Sequence, residues 1–173
     1  WFMVASGLID MPRVSPYRLT AHLGLALLIY GYMLWVALGL LYPQTGSGPG
    51  LQPLRRAGIA LTTLITITFL AGGFVAGTRA GFAFNDWPWM YGKLIPDGLY
   101  AVSPLWVDVF ENVATVQFHH RWLAYALVIA GPLFWWRARK LALPARVRTA
   151  MPWLLAALAA QVLLGILTLV HVV

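Results

Sequence analysis

None of the 173 residues is a cysteine, only 10% are charged, and Asp and Glu together number 5. Without thiols there can be no disulfide, thiolate metal site or cysteine nucleophile within this stretch. A soluble domain carries about 25% charged residues, so this chain cannot coat a water-facing surface. No phosphate-cradling glycine loop and no nucleophile–base pair stands out, and no carboxylate interrupts an apolar run in the way proton pumps require. The five acids, Asp10, Asp86, Asp97, Asp108 and Glu111, all fall in connecting segments, where solvation is the expectation.

Apolar sequence fills the space that charge leaves. Hydrophobic residues make up 61% of the chain and the mean hydropathy is +0.76. Four runs, near 19–42, 57–78, 114–136 and 150–173, reach the roughly 20 residues that a spanning helix needs. The fold class is all-α: a polytopic membrane helical bundle with four spanning helices in this stretch.

Charge sets the topology. The net charge of +7 comes largely from Arg55 and Arg56 before the second run and from Arg137, Arg139, Lys140, Arg146 and Arg148 between the third and fourth. Short Lys/Arg-rich loops face the cytoplasm, so loops 43–56 and 137–149 are expected inside and loops 10–18 and 79–113 outside. The basic excess is therefore a topology signal, not a mark of nucleic-acid binding. Segment 79–113 also holds Trp87, Trp89, Tyr91, Tyr100 and Trp106, side chains suited to the membrane–water interface. WFMVASGLI at the start reads as the last turns of a helix already under way, so a piece of a longer protein is expected. A faint repeat pairs MVASG (3–7) with FVAGT (74–78) and HLGLAL (22–27) with HRWLAY (120–125), hinting at two related halves.

VQFHHR, residues 116–121, places ionisable groups at the mouth of the third run. Such groups are costly in a membrane and are functional by default. His22, His120 and His171 all fall one to two turns or less from the outer face, at about 1.5 Å per residue. His119 points about 100° away from His120 around the helix and cannot easily share its ligand. Neutral imidazole is a good iron ligand, and helical bundles hold cofactors between facing helices. Haem would also need cations for its propionates, and Arg18, four residues before His22, and Arg121, directly after His120, are candidates. The plainer alternatives are interfacial histidines bonded to water or backbone and arginines that snorkel to the headgroups. Gly72, Gly73 and Gly77 would serve close helix packing.

The run FVAGTRAGFAFNDWPWMYGKLIP, residues 74–96, resembles the signature of the haem A synthase family, Cox15/CtaA. Its residues are Ala76, Gly77, Ala80, Gly81, Asn85, Trp87, Pro88, Met90, Gly92 and Pro96. WFMVASGL, VSPYRLTAHLGLAL, VQFHHR and QVLLGILTL are similar to the end of the family's third helix, its fourth, the start of its sixth and its seventh. The resemblance implies part of a two-fold pseudo-symmetric eight-helix protein. Residues 1–56 would be the end of the N-terminal four-helix half with its cytoplasmic linker, and 57–173 most of the C-terminal half.

It further implies that His22 and His120 are axial haem-iron ligands, one from each pair, with both partners outside this chain. Arg18, Arg121, Asn85 and Trp87 would contribute to haem binding, the last two from the outer loop covering the substrate. No catalytic residue is assigned. The implied activity is oxidation of the C8 methyl of haem O to a formyl, giving haem A for cytochrome oxidase, with haem b as cofactor. A b-type bis-histidine electron carrier without porphyrin chemistry is the alternative, and a transporter or assembly subunit with structural histidines the third reading. The implied setting is the bacterial plasma membrane, with membrane lipid, a second copy, haem O synthase and cytochrome oxidase assembly factors as partners.

Overall fold

The computed structural model describes residues 14–43 and 49–171. The expected helix end at 1–9, one arm of the repeat at 3–7 and residues 44–48 of the turn at 43–53 lie outside the described residues. Among the described residues the chain is all helical: α1 (Pro16–Leu41), α2 (Gln52–Thr78), α3 (Ala80–Ala83), α4 (Leu105–Glu111), α5 (Val113–Ala138) and α6 (Ala145–His171), with no strand. A short 3-10 turn, Pro49–Leu51, precedes α2.

Local chemistry explains most of the boundaries. Proline occupies the first turn of both α1 and α2, where its missing N–H costs nothing and its fixed φ suits a helix. That is why α2 begins at Gln52, ahead of the apolar run. Asn112 caps α5, its side chain accepting from the Ala114 amide at 3.0 Å. Arg79 sits in the left-handed region at φ 56° and separates α2 from the single turn of α3.

Three helices, α1, α2 and α6, are both long and apolar enough to cross a membrane. The sequence reading expected four. α5 is as long, at 26 residues, or about 39 Å, but Thr115, Gln117, His119, His120 and Arg121 make its N-terminal third more polar than the other three helices. The difference lies in side chains that serve contacts described below, not in helix length.

α2 is the central helix, packed against α1 on one side and α5 on another, while α5 carries α6, α4 and α3. Glycine decides the α1–α2 contact. A Cβ on Gly77 would stand 2.6 Å from Pro16 Cα, and one on Gly73 would stand 2.8 Å from Thr20 Oγ1. Spaced four apart, these residues let the two backbones approach as small residues do in membrane helix pairs. Tyr17 closes the end of the contact near the α1 N-terminus, donating to Glu111 of α4 at 2.9 Å and meeting Phe74 edge-on at 5.6 Å.

A buried apolar cluster sits at the N-terminal end of α5 rather than midway along the helices. There Phe84, Met90 and Ala114 are buried together, with Leu99, Val113 and Phe118 against them. Segment 79–113 thus folds down onto α5 as a cap. α1 and α6, by contrast, expose most of their surface, as helices facing lipid or further helices do.

Candidate functional site

The site is built on the first three turns of α5, and a buried carboxylate anchors it. Asp108 has no exposed surface. One oxygen accepts from the Val102 amide at 2.7 Å and from Asn112 Nδ2 at 2.9 Å, and the other accepts from the Thr115 hydroxyl. Burial alone would push its carboxyl up, but these donors outweigh it and hold it below the ordinary carboxylate range. Asn112 Nδ2 also reaches the Gly98 carbonyl at 2.8 Å, and the Tyr100 amide donates to Thr115 Oγ1 at 3.3 Å. The network ties 98–104 to the junction of α4 and α5. The expectation that all five acids are solvated is therefore corrected at Asp108, which is the cap's internal anchor.

From that cap, Tyr100 extends to His119, its hydroxyl 2.8 Å from Nε2. His119 borders an apolar groove of roughly 570 Å³ lined also by Leu70, Ala71, Phe74, Phe110 and Trp122. His120, one residue on, turns to a different neighbour. Its ring lies against Gly72 of α2, where a Cβ would be 3.2 Å from Cε1, and its Nδ1 is buried without a hydrogen-bond partner. The two adjacent histidines thus face separate surroundings, as their 100° offset requires.

Arg121 is 6% exposed. It donates from Nη1 to the Trp89 carbonyl at 2.7 Å and from Nη2 to the Phe84 carbonyl at 2.8 Å. Tyr125, one turn further along α5, donates to the Pro88 carbonyl at 3.2 Å. Together they clamp the loop 84–89, in which Asp86 accepts from the Gly92 amide at 3.1 Å. Gly92 and Tyr91 form the next turn with φ 72° and 53°, a conformation that glycine adopts without cost. The sequence reading offered Arg121 to a haem propionate or to the headgroups. Here Nη1 and Nη2 are each bonded to a backbone carbonyl, which makes the guanidinium a clamp on the loop, while Nε is buried without a partner.

The remaining sequence candidates lie apart from this cluster. Asn85 and Trp87 sit in the clamped loop and are exposed, Trp87 by 47%. Arg18 and His22 are exposed on α1. Thr20 and Leu23 are the residues of α1 that meet Gly73, and His22 falls between them on the far side of the helix, since two residues are about 200° of turn. It points away from α2, whereas His120 points toward it, so the two are not brought into one site.

The histidines fit haem better than a bare ion. Among the described residues no group of three or more His, Asp or Glu could hold a metal, so only a ligand that brings most of its own donor set would suit an isolated imidazole. His120 offers such an imidazole, one nitrogen sealed against α2 and the other not. The sequence reading gave no role to Asp108, Thr115, Tyr100, Tyr125 or the buried Gln117. A signal existed for three of the site's anchors: Asp108, Asn112 and Thr115 recur at intervals of four and three in the sequence, although Asn112 breaks the helix between α4 and α5.

Comparisons place this geometry among known proteins. The family model described as cytochrome oxidase assembly protein, COX15-CtaA, matches residues 1–173. The chain is 49% identical over 175 residues to the haem A synthase of Nitrosospira multiformis, covering 100% of this chain and 49% of that protein. It is 47% identical over 173 residues to that of Parvibaculum lavamentivorans, covering 100% and 48%. With the haem A synthase COX15 of Bos taurus it shares 45% over 177 residues, covering 98% and 43%. The chain spans about half the length of these relatives. No solved structure matches. With its whole length matched, the chain belongs to the COX15-CtaA family.

Proposed function

We propose that the protein containing this chain is a haem A synthase, oxidising the C8 methyl of haem O to a formyl to give haem A for cytochrome oxidase. The single observation that carries a haem role for these residues is His120, an imidazole sealed at Nδ1 and held against the backbone of a neighbouring helix. Membership of the family and the names of its relatives support the rest of the reading.

On this account His120 supplies Nε2 to the iron of haem b in the C-terminal half, 57–173. His22 serves the substrate haem O in the N-terminal half, of which 1–56 is the end. Their opposed directions suit two sites, and the helix bounds put each about two turns below an outer helix end. Arg18, on the face of His22 and nearer the water, is placed to meet a propionate. α5 is then the fourth span, its polar third enclosed by the cap, and the two halves share a pseudo-two-fold design. Bound haem b supplies a one-electron redox centre beside the substrate.

The chain's own residues do the positioning. Arg121 and Tyr125 hold loop 84–89 at the outer mouth of α5, and Asp108 holds 98–104 beside it. This cap keeps water from the outer end of the site, and Asn85 and Trp87 in the loop are available to the haem edge. The protein sits in the bacterial plasma membrane with loops 43–56 and 137–149 inside. Lipid, a second copy, haem O synthase and cytochrome oxidase assembly factors are its partners.

The test is conversion. The full-length protein, expressed with a haem O synthase, should yield extractable haem A in membranes. Accumulation of haem O alone, with haem b bound, would instead make it an electron carrier.

A further inference from the structure

Gly72 stands where the His120 ring meets α2. A Cβ there would lie 3.2 Å from Cε1, 3.7 Å from Nδ1 and 3.9 Å from Nε2. The first distance is closer than ordinary van der Waals contact, so a side chain would displace the ring by a few tenths of an ångström. The Nδ1 of that ring is buried without a hydrogen-bond partner. A helical Cβ leans toward the N-terminus, over the preceding turn, so a side chain at 72 would stand where the ring now rests on the α2 backbone. Packing against α1 does not explain this glycine, because α1 rests on Gly73 and Gly77, and position 72 lies about 100° round the helix from Gly73, facing the His120 ring of α5.

We propose that Gly72 is a positioning residue for His120. With no Cβ at 72 the ring rests on the α2 backbone with Nδ1 buried, which holds it in one orientation and leaves the Nε2 electron pair for iron. The surroundings of the second ring nitrogen set the orientation and basicity of a metal-ligating histidine. The inference rests on the reading that His120 ligates haem b.

The experiment uses the full-length protein in membranes, comparing wild type, Gly72→Ala and Gly165→Ala, a helical glycine whose added Cβ would meet nothing within 4 Å. The readouts are haem b per protein, the low-spin EPR gmax and the haem b midpoint potential. Gly72→Ala should retain haem b but shift both gmax and potential, while Gly165→Ala should match wild type. A Gly72→Ala signal superimposable on wild type overturns the proposal. Should Gly72→Ala fail to accumulate, pulsed EPR on wild-type haem b decides. A Nδ1 proton that exchanges slowly in D2O supports burial against α2, and one that exchanges at once overturns it. If His120→Met leaves the haem b spectrum unchanged, the ligand reading itself fails, a result distinct from either outcome at Gly72.

Discussion

Arg121 Nη2 lies 2.8 Å from the Phe84 carbonyl, joining α5 to a loop 37 residues earlier in the chain. With the bond to Trp89 it makes a buried cation the fastener of loop 84–89. Hydrogen bonds from charged donors contribute roughly 1.5–3 kcal/mol each. Arg121→Gln should therefore cost about 3 kcal/mol and expose 84–96. Limited proteolysis from the outer side of oriented membranes should cut that loop in the variant and spare it in wild type.

Asp108 gives a pH dependence whose sign follows from its donors. Its folded carboxyl lies below the ordinary value, which is about 3.9 in an unfolded chain. The stabilisation is thus fully present above about pH 4 and is lost as pH falls through the lower folded value. The protection factors of the 98–115 amides, with exchange rates corrected for their intrinsic pH dependence, should stay flat from neutral pH to about pH 4 and fall below it. Asp108→Asn puts an amide donor where donors converge and should loosen the same segment at neutral pH.

The α1–α2 contact predicts a third outcome. A methyl on Gly77 would fall 2.6 Å from backbone Pro16 Cα, which no rotamer change relieves. Overpacking of this kind costs about 1–3 kcal/mol. Gly77→Ala should lower the detergent-unfolding midpoint and weaken a crosslink between α1 and α2, while Gly39→Ala, with nothing near its added Cβ, should do neither.

Long apolar runs made the helices legible, because a membrane demands about 20 apolar residues in a row. Proline at a first turn is permissive, so the starts of α1 and α2 fell ahead of those runs. The separation of His120 from His119 followed from helical phase alone. Arg121 and Asp108 did not. Sequence gives a charge and an approximate depth, but both residues are satisfied by partners remote in the chain: Phe84 and Trp89 for one, Val102 and Thr115 for the other. Such pairings depend on how the outer segment folds back, which no local period encodes. His22 is legible only as an exposed residue on α1, since nothing within the described residues lies opposite it.

The two adjacent histidines offer the most direct measurement. Reduced-minus-oxidised spectra of the full-length protein in membranes should be compared for wild type, His119→Ala and His120→Met. The account predicts that His119→Ala keeps the haem b α-band, since its ring is bonded to Tyr100 and faces the groove, and that His120→Met shifts or abolishes it. Loss of haem b in His119→Ala with a wild-type spectrum in His120→Met would contradict it.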